Sequence, residues 1–250
     1  MQGNYPNQQG YYPTQQGGQK KPQGRKYAVD LVFCIDATGS MEDVTGGEKK
    51  IINMVKENAL NFYNDLMRGM AKKNKQLHQL RIRVVAFRDY LADGPQAMLV
   101  TDFFRLPQQS EAFSKCVHSI SAMGGGDIPE DGLEALAYAM RSNWSTEGTD
   151  RRQVIVVWTD AGAHPLQFGK SSPYYPEGMP RNMSELSDWW DDYMEFNAKR
   201  LVLFAPEAEG WDYIVKYWDN VIFYPSVAGN GLAETDYNVI IDAVANSIAV

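Results

Sequence analysis

The residues Ala28-Val29-Asp30-Leu31-Val32-Phe33-Cys34-Ile35 are followed directly by Asp36-Ala37-Thr38-Gly39-Ser40. The first run is almost entirely apolar, which is typical of a strand buried on both faces of a parallel sheet. The second run places a carboxylate and two hydroxyls at alternate positions. Because ligands bind beyond the carboxyl ends of strands in an open parallel sheet, the two runs together predict an α/β fold with a ligand site after its first strand.

Strands and helices are predicted to alternate along the rest of the chain. Further strands are expected at 80–87, 97–104, 154–159, 201–205 and 221–224. Helical spacing of apolar residues predicts helices at 51–70, 111–121, 184–199, 211–218 and 233–248, and one more that opens near Asp127. Asp93-Gly94-Pro95 indicates a tight turn, so 97–104 should run antiparallel to the strand before it. We therefore expect a Rossmann-like, doubly wound sheet of about six strands, mostly parallel with one antiparallel strand, with helices on both faces.

Residues 1–26 differ in composition from everything that follows. They consist mainly of Gln, Gly, Tyr, Pro and Asn, with a near-repeat Y-P-x-Q-Q-G at 5–10 and 12–17. Such a segment has too few aliphatic side chains to offset its ordering entropy, so we expect a disordered tail before one folded domain at 27–250. The tail is either a solvated linker or a Tyr/Gln segment that associates with itself or docks on a partner.

Charge and cysteine content narrow the class of protein. The chain has a net charge of −7, and because the tail contributes Lys20, Lys21, Arg25 and Lys26 without any acid, the remainder stands at −11. Such a domain should not bind nucleic acid through a broad basic face. With two cysteines, Cys34 and Cys116, and no apolar run as long as a membrane span, we expect a cytoplasmic protein without a disulfide framework or membrane insertion.

The polar residues that follow two of the predicted strands are all oxygen donors. Asp36, Thr38 and Ser40 follow the first strand, and Asp160 closes the strand at 154–159. Carboxylates and hydroxyls are hard donors, and no thiolate or imidazole cluster lies near them in the sequence. They therefore suit one divalent cation, Mg²⁺ first, with Mn²⁺ or Ca²⁺ as alternatives, rather than zinc or copper.

These motifs resemble the von Willebrand factor A family, whose metal-ion-dependent adhesion site is written D-x-S-x-S, with a later Thr and a final Asp. Asp36, Thr38 and Ser40 match the first element, with Thr in place of the first Ser, and Asp160 matches the last. The loop Gly-Gly-Gly-Asp-Ile-Pro-Glu at 124–130 puts Asp127 where adhesion-type members have Thr. The resemblance covers about residues 28–250 and implies that all five residues hold the metal.

A subgroup of that family is matched more closely. It carries G-G-D-x-P-E in the loop, F-R-D at the end of a strand and T-D-A-x-x-H at the last motif, here at 125–130, 87–89 and 159–164. Similar domains occur in bacterial tellurite-resistance-associated proteins and attached to atypical alpha-kinases. This resemblance implies partners that sense, modify or scaffold other proteins.

The third carboxylate has a consequence for what the metal can bind. With Asp36, Asp127 and Asp160 all ionised, a divalent cation is overcompensated to a local charge of about −1. Capture of an acidic side chain should therefore weaken. We expect the metal either to be held as a structural element or to accept a neutral or less acidic group from a partner.

Several of these residues also have structural interpretations. Asp127 and Glu130 have the spacing of a capping box, with Pro129 in the first helical turn. Asp36 and Asp160 are alternatively ordinary turn residues. Arg88 and Asp89 either orient a metal ligand or form a plain surface ion pair. His164, four residues after Asp160, is expected to fix its loop by a hydrogen bond rather than to catalyse a reaction or bind metal.

An aromatic segment follows Asp160 and offers a second source of specificity. It is expected to lie on the rim that presents the metal, and its candidate partner-binding residues are Phe168, Tyr174, Tyr175, Trp189 and Trp190. Aromatic anchors beside a cation are plausible hot spots for a protein partner. The alternative is that this lid packs on itself and on the following helix.

The sequence favours a metal-dependent protein-binding or scaffold module over an enzyme. The rival hypothesis is a metal-assisted hydrolase in which Asp127 or Glu130 serves as base for a metal-bound water. A nucleotide-binding Rossmann protein is disfavoured, because the first turn lacks G-x-G-x-x-G and the chain lacks a P-loop.

Overall fold

The computed structural model describes residues 27–42, 51–126 and 128–226. Three sequence predictions lie outside the described residues: the tail at 1–26, the last helix at 233–248, and the position of Asp127. The elements described below all belong to the described ranges.

Seven strands form one mixed sheet. They are β1 (Tyr27–Asp36), β2 (Leu77–Phe87), β3 (Met98–Val100), β4 (Phe104–Leu106), β5 (Asp150–Trp158), β6 (Lys199–Pro206) and β7 (Val221–Ser226). Their order is β3-β2-β1-β5-β6-β7, and β4 also pairs with β2. The strands β2, β1, β5, β6 and β7 are mutually parallel, whereas β3 and β4 run antiparallel to β2. We call the two ends of the parallel strands the amino edge and the carboxyl edge.

Helices cover both faces of the sheet. They are α1 (Ile51–Lys72), α2 (Tyr90–Asp93), α3 (Ser110–Ser119), α4 (Gly132–Met140), α5 (Met183–Asp192) and α6 (Trp211–Tyr217). One core joins α1 and α3 to the sheet, and the other joins α4, α5 and α6 to the opposite face. The prediction of a doubly wound, mostly parallel α/β fold is confirmed.

The pleat of β1 explains why its sequence is apolar throughout. Leu31 and Phe33 point into the core under α1 and α3, whereas Val32 and Cys34 point into the core under α4 to α6. All of β1 is buried, as expected for a central strand covered on both faces.

The prediction of a single strand at 97–104 is wrong in detail. The segment forms two short strands, since Val100 lies opposite Val85 and Phe104 lies opposite Ile82, so the register slips between them. Thr101 lies at the slip, where its hydroxyl accepts the hydrogen bond of the Val84 amide at 3.0 Å. A side-chain oxygen thus takes the place of a backbone partner, and the ladder is interrupted.

Two helix boundaries also differ from prediction. The helix expected near Asp127 begins at Gly132, because Glu130 is held in an extended bridge with Ala163. The Glu130 amide donates to Gly162 O at 3.0 Å and its carbonyl accepts from the His164 amide at 2.9 Å, so its backbone is not helical. The helix expected at 184–199 ends at Asp192, because Lys199 already pairs as the first residue of β6.

The strand order places a natural binding position at the carboxyl end of β1. The parallel strands lie in the order β2-β1-β5-β6-β7, which is the order of flavodoxin-like doubly wound sheets. In such sheets the strand order reverses direction at one point, which here lies between β1 and β5. The crevice between the carboxyl ends of β1 and β5 is therefore where the fold presents a site. No helix in the described part of the chain is long and apolar enough to cross a membrane.

Candidate functional site

A series of hydrogen-bonded side-chain oxygens, which we call the oxygen chain, connects the carboxyl ends of β1 and β5. The Thr38 hydroxyl donates to Asp36 Oδ1 at 2.6 Å and lies 3.1 Å from the Ser40 hydroxyl. The Ser40 hydroxyl in turn donates to Asp160 Oδ1 at 2.9 Å. The structure thus brings together four of the five predicted metal ligands, and the fifth, Asp127, lies outside the described residues.

Both carboxylates of this group are buried, and no cationic side chain among the described residues forms a hydrogen bond with either of them. Asp36 also accepts from the Thr38 amide at 2.9 Å and, through Oδ2, from the Thr159 hydroxyl at 2.7 Å. Burial raises the pKa of Asp36 to about 6, although the hydrogen bonds from Thr38 and Thr159 oppose the shift. Burial also raises the pKa of Asp160, whose Oδ2 is buried and has no hydrogen-bond partner in the part of the chain that the structure describes.

The chemistry of these donors fits a hard divalent cation, although the fifth predicted ligand, Asp127, lies outside the described residues. Two carboxylates and two hydroxyls are the oxygen ligands that Mg²⁺ or Ca²⁺ prefers, and the partnerless Asp160 Oδ2 is an available donor. Within residues 27–42, 51–126 and 128–226, no three Asp, Glu, His or Cys side chains are grouped as a metal site.

The glycine loop lies directly over this oxygen chain. The Gly39 amide donates to Gly124 O at 3.1 Å, and the Gly125 amide donates to Asp93 Oδ2 at 3.0 Å. Gly124 has a φ of +71°, and a Cβ there would lie 1.8 Å from Asp93 Oδ1. Only glycine allows this close approach, so the loop is fixed against the end of β1. Asp93, which the sequence indicated only as a turn residue, thus helps to position the site.

Arg88 organises the same edge through backbone carbonyls. Its buried guanidinium donates to Ala37 O at 2.9 Å, Gln96 O at 2.6 Å, Ser121 O at 2.7 Å and Met123 O at 3.1 Å. This arrangement differs from both sequence interpretations of Arg88, as an ion pair at the surface or as a partner of Asp89. The guanidinium instead connects the end of β1 to the segment that leads into the glycine loop.

Asp89 and His164 form a buried contact beside the site. Asp89 caps α2 by accepting from the amides of Leu91 and Ala92, and its Oδ2 lies 3.3 Å from His164 Nε2. The His164 ring is stacked on Phe168, with centroids 3.9 Å apart. This is the geometry of a histidine that fixes its loop.

Glu130 points toward the glycine loop and is almost completely buried. A Cβ at Gly125 would lie 2.9 Å from Glu130 Oε1, and no described residue forms a hydrogen bond with Glu130 Oε2. Burial, followed by the nearby Asp36 and Asp89 carboxylates, raises the pKa of Glu130 to about 9. With that pKa and no cation bound, the carboxyl would be protonated near neutral pH and could donate a hydrogen bond.

Two further acids next to this edge were not singled out from the sequence. Asp131 accepts from the Tyr90 amide at 2.6 Å, and Glu134 accepts from the Tyr175 hydroxyl at 2.7 Å. Each retains one buried oxygen that has no hydrogen-bond partner within the described ranges. Burial, with the neighbouring Glu134 carboxylate, raises the pKa of Asp131 to about 7. Their sequence signal is weak, because two acids in a first helical turn usually serve the helix dipole.

The predicted aromatic surface is divided between the two edges. Phe168 and Tyr174 are 45% and 54% exposed near the carboxyl edge, whereas Tyr175 turns its hydroxyl inward to Glu134. The placement of Trp189 and Trp190 on the metal-bearing rim is wrong. Because α5 leads down into the start of β6, its last turn lies at the amino edge, where Trp190 is buried against Trp218.

A cleft of about 480 Å³ opens over the oxygen chain. It is lined by Thr38, Ser40, Asp160, Glu130, Ile128 and the three glycines 124–126. Ile128 is 79% exposed at its rim. The carboxyl edge therefore combines buried acidic oxygens with an accessible apolar contact.

Comparison with known proteins supports the fold more strongly than any activity. No family model matches the chain. Among curated proteins, it is similar to the alpha-protein kinase vwkA of Dictyostelium discoideum, with 23% identity over 169 residues. The match covers 68% of this chain but 24% of the kinase, so the chain spans about a quarter of that relative's length.

Two pilus proteins share the fold. The PilB minor pilin from Streptococcus sanguinis aligns with a TM-score of 0.57 and 12% identity, covering 90% of this chain and 63% of the pilin. The pilus adhesin SpaC from Lactobacillus rhamnosus GG aligns with a TM-score of 0.55 and 10% identity, covering 90% of this chain and 31% of the adhesin. At these identities the likeness concerns the arrangement of the sheet and helices.

Proposed function

We propose that residues 27–250 form a metal-dependent protein-binding or scaffold module of the von Willebrand factor A type, with its binding site at the carboxyl edge. The observation that carries the proposal is the continuous set of oxygens from Asp36 through Thr38 and Ser40 to Asp160. It lies at the crevice where open α/β sheets bind ligands.

Asp36, Thr38, Ser40 and Asp160 would hold the cation, with Asp127 as the fifth ligand that the family resemblance implies. A bound divalent cation would neutralise buried charge and supply an electrophilic position for an oxygen of the partner. Mg²⁺ is the proposed ion, because all of the donors are hard oxygens. With three carboxylates around one cation, the favoured partner group is a neutral oxygen, such as an amide or hydroxyl, rather than a carboxylate.

The surroundings of the cleft support a protein as the ligand. Ile128, Phe168 and Tyr174 are exposed near the same edge, and exposed apolar side chains around a polar centre are typical of protein interfaces. The relative vwkA is an alpha-protein kinase. We propose by analogy that this module works beside protein-modifying enzymes, which it would help to bring to their targets.

The alternative function is a metal-assisted hydrolase at the same oxygens. It needs a base for the attacking water, and of the two candidates that the sequence named, Glu130 is the one within the described residues, with Oε1 2.9 Å from the position of a Cβ at Gly125. The open cleft with an exposed apolar rim suits a binding surface better than an enclosed catalytic pocket.

The metal site is tested by thermal unfolding of the full chain with Mg²⁺, Mn²⁺, Ca²⁺ or chelator. A ligand at about 100 times its dissociation constant stabilises the folded state by about 2.7 kcal/mol, which is readily measured as a rise in Tm. We expect this rise in the wild type and its loss in Asp36→Ala and Asp160→Ala. Asp102→Ala, which removes an exposed acid outside the oxygen chain, is the matched control and should retain the rise.

The same variants separate the two functions. A pull-down with and without chelator should recover a partner only when the metal is present and Asp36 is intact. Turnover of generic phosphoester or ester substrates with Mn²⁺, lost in Asp36→Ala, would replace the binding proposal with the hydrolase. An identical Tm with cation and with chelator in the wild type would reject the metal site.

A further inference from the structure

A second cleft opens at the carboxyl edge, between the first turns of α5 and α6. Its volume is about 500 Å³, within the range of about 300 to 1,000 Å³ that is typical of ligand sites. Much of its wall is apolar, and the apolar residues used below are Ala163, Leu166, Met183 and Tyr213. We refer to it as the apolar cleft.

The loops on either side of the apolar cleft are fixed against each other. Gly210, directly before α6, has a φ of +90°, and a Cβ there would lie 3.0 Å from the Cβ of Ala163. Glycine avoids both the strained backbone and the close contact. The Ala163 amide donates to Glu209 O at 3.4 Å, and Trp211 Nε1 donates to Ala161 O at 3.1 Å. The cleft is therefore preformed between the loop after β5 and the loop before α6.

The same loop after β5 connects the apolar cleft to the oxygen chain. Asp160 and Ala161 line the cleft over the oxygen chain, and Ala163 and His164 line the apolar cleft. Three residues of chain span at most about 11 Å, so the Cα atoms of Asp160 and Ala163 lie within that distance of each other. An extended partner segment of about four to six residues can therefore reach both clefts.

Two exposed acids lie on the rim of the apolar cleft. They are Glu209 and Asp212, and no cationic side chain among the described residues forms an ion pair with either of them. Lys216 follows Asp212 by one helical turn, but its Nζ lies over the Tyr217 ring, 5.1 Å from the ring centre. Both acids thus remain available to a partner.

The remaining charges at this rim do not reverse its sign. Arg181 is already paired with Glu185, whose Oε1 accepts from Arg181 Nε at 2.6 Å. The two cations Arg181 and Lys216 and the three acids Glu185, Glu209 and Asp212 sum to a local charge of about −1. A basic partner residue is therefore favoured over an acidic one beside the apolar cleft.

We propose that the apolar cleft binds a large apolar side chain, the anchor, from the same partner segment whose oxygen reaches the metal. A leucine, methionine or phenylalanine would pack on Leu166, Met183 and Tyr213, and a lysine or arginine next to it would lie near Glu209 or Asp212. The inference rests on the function proposed above. It specifies a partner peptide with a neutral oxygen-bearing side chain, an anchor about four residues away and a basic residue beside the anchor.

The anchor should contribute more to affinity than the basic residue. Complete burial of a large apolar side chain corresponds to roughly 10- to 100-fold in the dissociation constant, whereas an exposed ion pair corresponds to about fivefold or less. Replacing the anchor of a bound peptide by alanine should therefore weaken binding by at least about tenfold. Replacing the basic residue by glutamine should weaken it by about fivefold or less.

Peptide selection on the full chain provides the probe for this test. Random dodecapeptides are displayed and selected in Mg²⁺, and fluorescence anisotropy then measures the affinity of the selected peptides and of their anchor-to-alanine and lysine-to-glutamine forms. The selected peptides should share an anchor with an adjacent lysine or arginine. A selection that enriches no peptide, or peptides whose affinity is unchanged by alanine at every apolar position, would overturn the proposal.

Variants of the chain assign the anchor to the apolar cleft. Met183→Ala and Tyr213→Ala remove parts of its wall and should weaken the selected peptides by at least about fivefold. Met183 is half-buried and Tyr213 is 36% exposed, so both variants should fold with nearly the wild-type Tm. Tyr217→Ala is the matched control, because it removes an exposed tyrosine of the same helix outside the apolar cleft. It should leave the affinity unchanged.

Chelator distinguishes failure of this proposal from failure of the metal site. Binding that is equal in Mg²⁺ and chelator but weaker in Met183→Ala and Tyr213→Ala would support the apolar cleft and reject the metal site. Binding that is lost in chelator and in Asp36→Ala, but is of wild-type strength in Met183→Ala and Tyr213→Ala, would support the metal site and overturn the proposal. Both dependences together are the expected result.

Discussion

Asp30 and Asp36 are buried carboxylates on the same strand, β1, but at opposite edges of the sheet. Asp30 pairs with the guanidinium of Arg81 through both oxygens, at 2.7 and 2.6 Å, and also accepts from the Ser145 amide at 2.6 Å. Asp36 accepts hydrogen bonds from the Thr38 and Thr159 hydroxyls instead. One carboxylate is neutralised by an arginine of the fold, whereas the partners of the other among the described residues are the hydroxyl and amide dipoles of Thr38 and Thr159.

The difference separates a structural charge from one that suits a ligand. A buried carboxylate paired with arginine gains enough attraction to offset much of its desolvation, whereas one with hydroxyl partners retains more of that penalty. Burial accordingly raises the pKa of Asp36 to about 6. Such uncompensated charge at a sheet crevice is favourable once a cation is bound, which agrees with the function proposed for the carboxyl edge.

The largest expected effect is a loss of stability on substitution of Asp30, the carboxylate that is paired with arginine. Asp30→Ala leaves the Arg81 guanidinium without its buried partner and the Ser145 amide without its acceptor. Removing one member of a buried ion pair typically costs 3 to 5 kcal/mol, and because Arg81 is partly exposed we expect a loss of about 3 kcal/mol in the free energy of unfolding. Urea denaturation measures it.

The control for Asp30 is an ion pair at the surface. Glu111 and Lys115 form an exposed pair one helical turn apart on α3, and Glu111→Ala should change stability by less than about 0.5 kcal/mol. A comparable loss in both variants would show that burial does not distinguish these charges, and the comparison would fail.

The second prediction concerns Asp131, another buried acid near the carboxyl edge. Its pKa is raised from 3.8 to about 7, so the folded state binds more protons than the unfolded state between about pH 4 and 7. Stability from this group is therefore full below pH 4 and is lost as the pH rises to 7. Asp131→Asn should remove this part of the pH dependence and stabilise the protein at pH 8 by about 2 kcal/mol, since relaxation reduces the full penalty.

Urea unfolding curves at pH 4, 5.5, 7 and 8 measure the slope of stability against pH. Asn can still accept from the Tyr90 amide, so the contact that positions α2 is retained. Asp102→Asn, at an exposed position, serves as the control and should leave the slope as in the wild type. A slope that is unchanged in Asp131→Asn would mean that Glu134 or another acid accounts for it.

The fold was largely predictable because its strongest signals are local. Continuous apolar runs such as that of β1 identify strands buried on both faces, and alternation with amphipathic segments then dictates a parallel sheet. The predictions failed where a non-local contact overrides local preference. Glu130 has the sequence of a helix start but is paired with Ala163, and Trp190 follows an aromatic loop but lies where α5 descends to the other edge.

The site was predictable only in part for the same reason. Strand ends identify Asp36 and Asp160, because the chain must turn there and parallel strands end together. The role of Arg88 could not be read from the sequence, because its partners are four backbone carbonyls contributed by separate loops.

The smallest predicted effect concerns Asp36. Its substitution should raise the free energy of unfolding, whereas substitution of Asp30 should lower it. In chelator, Asp36→Asn removes a buried charge while its amide oxygen still accepts from Thr38 or Thr159, so stability at pH 8 should rise by about 1 kcal/mol. Saturating Mg²⁺ should then stabilise the wild type but not this variant, which reverses their order of stability. Urea unfolding of both proteins in each condition measures the reversal. If Asp36→Asn instead destabilised the protein in chelator by as much as Asp30→Ala, Asp36 would be a structural charge like Asp30, and its burial would give no reason to expect a cation.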